Sequence, residues 1–166
     1  MADRCLECGF DYGTVTPVAA AELLRQFPPK YRALVAGGEE LRTRPSPWTW
    51  SALEYTCHVR DVFAVYTERT RRVLSEDRPT LPSMQREERV VRDRYNEQDP
   101  GTVLDGLGAN AEELAALLGA VPSESWARTG LHPTTGERDL QWMAANCVHE
   151  GRHHLMDVER VLRAVG

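Results

Sequence analysis

The chain is poor in several things at once. Lysine occurs once, at Lys30, so nearly all the basic charge rests on arginine. Twenty Lys and Arg face 25 Asp and Glu, for a net charge of -5. No basic excess is left to neutralise phosphates, which argues against nucleic acid as a partner. No apolar run approaches the ~18 residues of a membrane helix, so no membrane partner is expected. The first stretch, "MADRCLECGFDYG", lacks a charged-then-apolar signal pattern, and a cytoplasmic location is expected. Four cysteines in 166 residues do not make a disulfide framework. Strand signals are weak throughout, and there is no internal repeat. The arginine bias is of the kind associated with GC-rich bacterial genomes.

What remains is a helical chain of ordinary composition, 42% hydrophobic and 27% charged, long enough for one core. Thr16-Pro17 reads as an N-cap followed by proline at the first helical position. The apolar pattern then runs from Val18 to Phe27, is interrupted at Pro28-Pro29, resumes through Tyr31, Leu34 and Val35, and stops at Gly37-Gly38. "WSALEY" carries a capping box, Ser51 with Glu54, and Trp50 and Tyr55 stand where a hydrophobic staple would hold. A helix is predicted from Ala52 to about Leu74, with Tyr55, Val59, Val62, Phe63, Tyr66 and Val73 on one face. "SEDRPTLPSMQ" reads as loop and "REERVVRDRY" as a short charged helix or irregular segment. Asp99-Pro100 caps a third long helix striped by Leu104, Leu107, Ala111, Leu114 and Leu118. "VPSESWARTGLHPTTGERD" reads as a connection. The last helix is predicted from near Asp139 to Val165. Together these predict an all-α fold, a four-helix bundle with long connections.

The chemistry-bearing residues are histidines. "CVHEGRHHLMDV" contains H-E-x-x-H, which on a helix is the zinc protease pattern. A protease needs a third ligand. The metzincin position is Glu159, but "HHLMDVERVL" has Met156 where a glycine turn is required, and the sequence on to Gly166 supplies no distant glutamate. The pair His149 and His153 nevertheless lies one turn apart on one helix face, a spacing that suits two imidazoles on one ion. On a wheel of ~100° per residue, Leu140, Met143, Ala144, Cys147, Val158, Leu162 and Val165 form the core stripe. His154 falls within it. His149 and His153 lie opposite, with Trp142, Asn146, Met156 and Arg160. An ordinary solvated face is the plain alternative there, although Trp142 and Met156 fit it poorly. His58, in "EYTCHVRDV", is by itself an ordinary core histidine. Combined with His149 and His153 it makes a three-histidine set between facing helices.

At this point the chain resembles the DinB-like superfamily, through "W-S-x-L-E-Y-x-C-H-V-R-D-V" and the ending "H-x-x-x-H-H-L-x-D-V". This is the damage-inducible metalloprotein group, not the similarly named polymerase. It includes thiol-dependent S-transferases and mycothiol-dependent maleylpyruvate isomerases. The resemblance runs from about Val15 to the end, making residues 1–14 an added N-terminal segment and 15–166 the DinB-like domain. It implies an up-and-down four-helix bundle with unequal connections and metal ligands at His58, His149 and His153. Some members carry Glu at the position of His149. Three neutral nitrogens leave an open position on a divalent ion, zinc by first choice, with nickel or iron as alternatives. A thiol bound there is deprotonated. The implied activity is a thiol transferase or isomerase acting on a low-molecular-weight thiol, mycothiol or bacillithiol, and a small electrophile. A non-catalytic metal-binding stress protein of the same fold is the alternative. Glu54 and Asp61 are candidates for orienting His58, and Arg60, Arg152 and Arg160 for holding a substrate carboxylate. Self-association as a homodimer stays open.

The N-terminal "CLECGF" looks like half of a zinc ribbon. A structural zinc needs two further ligands. Cys57 and His154, each beside a candidate ligand but on another side of its helix, would complete a second site with Cys5 and Cys8. Cys147 is a further candidate. Redox-active or unpaired thiols are the alternatives.

Overall fold

The computed structural model describes residues 4–166; residues 1–3 of the expected N-terminal segment lie outside them. Side-chain caps decide where the long helices begin. Helix α1 spans Pro17–Leu34, and the Thr16 hydroxyl accepts from the Ala19 N–H. Helix α2 spans Ala52–Ser75. The Ser51 hydroxyl accepts from the Glu54 N–H while the Glu54 carboxylate accepts from the Ser51 N–H, completing the capping box. The Trp50 and Tyr55 rings meet at 5.4 Å. A short helix, α3, spans Arg86–Arg92. Helix α4 spans Pro100–Gly119 behind an Asp99 cap. Helix α5 spans Leu140–Val165, with Asp139 accepting from the Trp142 N–H.

The four long helices form the bundle. Helices α1 and α2 each pack against both α4 and α5. The order round the bundle is therefore α1, α4, α2, α5, which puts α1 and α2 at opposite corners. Leu24, Phe27 and Tyr31 of α1, Leu53, Val59 and Phe63 of α2, Leu107 and Leu114 of α4, and Met143 and Val158 of α5 are all buried in one core. The stripe read on α4 is buried throughout.

Two elements differ from the sequence reading. Pro28 and Pro29 do not interrupt α1, which runs through them. They remove N–H groups that would have reached Leu24 and Arg25. Buried Phe27 and Tyr31 on either side hold the segment helical through tertiary contact. The connection after α4 holds a hairpin of strands β1 (Thr129–His132) and β2 (Gly136–Asp139). Leu131 exchanges backbone hydrogen bonds with the 79–81 segment, donating to Pro79 and accepting from Leu81. Such short strands, supported by a distant loop, leave little alternation to read.

Gly151 sets the approach of α5 to α1. A Cβ there would stand 2.6 Å from the Phe27 ring, and the Tyr31 hydroxyl donates to the Gly151 carbonyl at 2.9 Å. Gly151→Ala should therefore destabilise by about 1–3 kcal/mol despite the better helix propensity of alanine. Gly119, whose Cβ would meet nothing within 4 Å, is the control: Gly119→Ala should be neutral or stabilise by up to about 1 kcal/mol. Thermal unfolding of both variants against the parent measures the contrast.

Candidate metal centre

Helix α5 carries two donor pairs of i, i+4 spacing, offset by one residue: His149 with His153, and Glu150 with His154. One residue is ~100° of helix, so the pairs face different neighbours. Glu150 and His154 face α2, where they meet His58. The ligating atoms of these three groups all lie within 4.8 Å of one another. His58 Nε2 is 3.5 Å and His154 Nε2 3.3 Å from the same Glu150 oxygen. The His58 and His154 rings are 4.8 Å apart. Trp50 stands 5.3 Å from His58 and Tyr55 5.3 Å from His154, so the staple pair also walls the donors.

The three donors are coupled electrostatically. Burial alone would raise the Glu150 pKa, but the hydrogen bonds from His154 and His58 outweigh it and hold the carboxyl well below its usual range. Burial lowers His58. Burial also acts to lower His154, but Asp157 and Glu150 win and raise it to about 9. Asp157 sits 2.9 Å from His154 Nδ1 and Glu150 3.3 Å from Nε2, so without an ion both ring nitrogens hold protons, and a metal would displace the one on Nε2. His58 Nδ1 is buried with no hydrogen-bond partner among the described residues.

His149 and His153 are grouped elsewhere. Their ligating nitrogens lie within 4.8 Å of the Cys5 and Cys8 sulfurs. The three-histidine set read from the sequence is thus divided: His58 takes Glu150 and His154 as neighbours, while His149 and His153 take the C-x-x-C pair. The sequence reading named no role for Glu150 and placed His154 with the cysteines. The i, i+4 spacing of Glu150 and His154 was the signal available. Cys57 is not near Cys5 or Cys8 either. It is buried on α2, its thiol donates to the Tyr95 carbonyl at 3.7 Å, and burial pushes its pKa up to about 12. Cys147 is buried in the core.

From Trp142 to His153 the face of α5 opposite the core stripe is covered, while Arg160 further along is exposed. Residues 4–14 lie over it, with Tyr12 stacked on Trp142 at 5.8 Å. Beside the donors is a cavity of about 490 Å³ whose lining includes His58, Glu150, Tyr66, Arg69, His132 and Trp142. A chain of hydrogen bonds runs through its wall. The Tyr12 hydroxyl donates to the Asn146 carbonyl oxygen at 3.0 Å, the Asn146 amide donates to the Tyr66 hydroxyl at 2.7 Å, and that hydroxyl faces His132 Nε2 at 3.1 Å. Arg69 also reaches His132 Nε2 at 3.1 Å. A guanidinium only donates, so Nε2 carries a lone pair and His132 is neutral, while Nδ1 faces the Thr134 hydroxyl at 3.2 Å and its N–H at 3.4 Å.

Arg69 is the arginine that the sequence did not single out. It is buried, its Nε has no partner, and no carboxylate pairs with it among the described residues. The arginines named from sequence are engaged otherwise: Arg60 with Asp61 and Gln98, Arg152 with the Cys8 carbonyl, Arg160 with Asp157. Glu54 pairs with Arg44, and Asp61 accepts from Arg60 and Tyr95, so neither orients His58.

A fold of this order, with donors converging from its second and last long helices, defines a helical-bundle family. Residues 21–158 match the DinB superfamily, and the chain belongs to it. Among solved structures it is similar to YfiT from Bacillus subtilis, with a TM-score of 0.83, 18% identity, and coverage of 90% of this chain and 89% of that one. YfiT is described as a probable metal-dependent hydrolase with an unusual four-helix bundle topology. No curated protein matches the chain. No helix among the described residues is long and apolar enough to cross a membrane.

The neutral state of His132 has a consequence for stability. Burial first, then Arg69 and Arg138, hold its pKa down at about 4 against an ordinary 6.5, with Glu150 acting weakly the other way. The unfolded chain takes up this proton near pH 6.5 and the folded chain only near 4, so stability is lost as pH falls through that window. With the ring only half-buried, the loss attributable to it should be on the order of 1 kcal/mol. Urea unfolding at a series of pH values should show His132→Gln losing less stability than the parent between pH 6.5 and about 4; equal losses would contradict the assignment.

Proposed function

We propose that the chain is a divalent-metal enzyme that activates a small thiol and adds it to an anionic electrophile, with His58, Glu150 and His154 as the metal ligands. The observation that carries this is the convergence of the three donors beside a cavity that two of them, His58 and Glu150, line. The residues fit the ion. Two imidazoles and one carboxylate are a donor set used by catalytic zinc and by non-haem iron, and both leave positions open. Asp157 behind His154 is the outer partner such ligands commonly have. Bound there, a divalent ion would lower the pKa of a thiol or water in its open position and act as a Lewis acid.

The other roles fall to the chain's own residues. Buried Arg69, lacking a carboxylate partner, is suited to bind an anionic group of the substrate. Trp142 and Tyr66 provide apolar walls that orient it, and the Tyr12–Asn146–Tyr66 chain holds those walls in place. Of the described residues lining the cavity, Glu150 is the one carboxylate, and as a ligand it is not free to serve as a base. His132 is a weak base with its lone pair engaged. His149 also lines the cavity, but it is grouped with Cys5, Cys8 and His153; with Glu150 a ligand and His132 engaged, the site favours a thiol, whose proton is lost far more readily than that of water. Mycothiol and bacillithiol are the first thiols to test, with zinc, nickel and iron as the ions. Hydrolysis is the second reading, favoured by the description of YfiT.

Metal-loaded protein mixed with each thiol and with maleylpyruvate or a similar carboxylated electrophile should consume both. His58→Ala should lose the ion of this site and the activity together. Arg69→Gln should raise KM by roughly 30-fold, the loss of one charge-assisted hydrogen bond of about 2 kcal/mol, with little change in kcat. Ester or amide cleavage without thiol would replace this reading with the hydrolytic one. No turnover of either kind would leave a metal-binding protein without catalysis.

A further inference from the structure

We propose that Cys5, Cys8, His149 and His153 bind a second, structural zinc ion, which fastens the N-terminal turn to α5 and sets Tyr12 in the cavity wall. Two cysteines and two histidines are a complete ligand set for such an ion, and their four ligating atoms lie within 4.8 Å of one another. Cys5 Sγ is 3.6 Å from His153 Nδ1. Tetrahedral zinc, with Zn–S of about 2.3 Å and Zn–N of about 2.05 Å, separates a sulfur from a nitrogen by about 3.6 Å.

The groups behind the ligands agree. His153 Nε2 lies 3.1 Å from a Glu7 oxygen and 3.6 Å from an Asp157 oxygen. Those carboxylates hold the ring proton on Nε2 and turn the Nδ1 lone pair toward Cys5, the arrangement that metal-binding histidines have. His149 supplies independent support. Both of its ring nitrogens are buried without a hydrogen-bond partner among the described residues, while Phe10 and Tyr12 enclose the ring at 5.4 and 5.3 Å. Partnerless buried polar groups are rare and costly; an ion supplies the missing partner.

The backbone is shaped for the task. Cys5 and Cys8 lie on a tight turn, not at a helix N-terminus. The Cys5 N–H donates to the Phe10 carbonyl and the Gly9 N–H to the Cys5 carbonyl. Gly9 has φ +68°, a value that glycine adopts without penalty. Arg152 of α5 donates to the Cys8 carbonyl at 3.3 Å. The turn packs little apolar surface of its own: Phe10 is buried, while Leu6 is exposed. A cross-link to α5 provides what a core cannot at this length.

Cobalt(II) titration of the reduced chain, with metal content per chain, tests this without any assay of activity. The parent should show thiolate-to-cobalt charge transfer and the intense visible bands of a tetrahedral site. Cys5→Ser/Cys8→Ser should lose the charge transfer and one ion per chain while far-UV circular dichroism stays helical. His58→Ala should keep the charge transfer whatever becomes of the other site, which separates this proposal from the preceding one. In the folded parent, zinc should slow alkylation of Cys5 and Cys8 roughly tenfold or more, a measurement that needs no variant. Absence of charge transfer in the parent would overturn the proposal. So would its survival in the double variant, alkylation unaffected by zinc, or a Cys5–Cys8 disulfide in protein prepared under reducing conditions.

Discussion

The one-residue offset between two i, i+4 pairs on α5 is the constraint from which the rest follows. An α-helix turns ~100° per residue, so His149 and Glu150, though adjacent, cannot serve the same neighbour. Glu150 and His154 meet His58 of α2, and His149 and His153 meet the N-terminal turn. This division holds only if α5 keeps its rotation within the bundle. Phe27 and Tyr31 of α1 fix that rotation by closing on Gly151, which lies between the first and second members of both pairs in sequence. The core contact thus stands within one helical turn of every donor that it orients.

A helix with a polar face opposite its core stripe would ordinarily meet solvent there. Here Phe10, Tyr12 and the C-x-x-C turn cover its first half, and covered polar groups need partners. Asn146 uses both ends of its amide, accepting from Tyr12 and donating to Tyr66. The direction of those protons is settled from the far end of the chain, because Arg69 can only donate to His132. His149, on the same face, has no hydrogen-bond partner among the described residues, its nearest carboxylate being Glu150 at 3.8 Å. The contrast between neighbours one turn apart is what the proposed second ion would explain.

The bundle was largely legible because its signals are local. Thr16-Pro17, the Ser51–Glu54 box, Asp99-Pro100 and Asp139 act within one turn of themselves, and each begins a helix where expected. Pro28-Pro29 misled because local preference lost to the packing of Phe27 and Tyr31. The hairpin escaped because four-residue strands against a loop have no readable period. The candidate site was half legible. His58 and the last helix stood out as sources of donors, and Cys5 and Cys8 as half of a ligand set. The pairing between them was not readable, because a helical wheel gives angles and not the identity of the neighbour at each angle. Carrying over the H-x-x-x-H form of the family pattern put the register at His149 and His153; the equally spaced Glu150 and His154 face α2 instead. Arg69 had no sequence signal among so many arginines. Only its burial without a carboxylate distinguishes it.

The two donor sets are not independent, because Asp157 serves both. One of its oxygens lies 2.9 Å from His154 Nδ1 and 3.6 Å from His153 Nε2. Each histidine turns its other nitrogen toward a different set. A single carboxylate therefore orients one ring of each, and its negative charge lies between the positions proposed for two cations. Like charges on the ions would oppose each other at this range in a medium of low dielectric. A shared carboxylate, with Glu150 on one side and Glu7 on the other, offsets that repulsion. The same sharing links the rigidity of the N-terminal turn to the geometry of the α2–α5 site: a shift of His153 would draw on Asp157 and so on His154. This gives the C-x-x-C segment, which the family pattern does not require, a physical reason to be carried by a chain whose donors lie one residue apart.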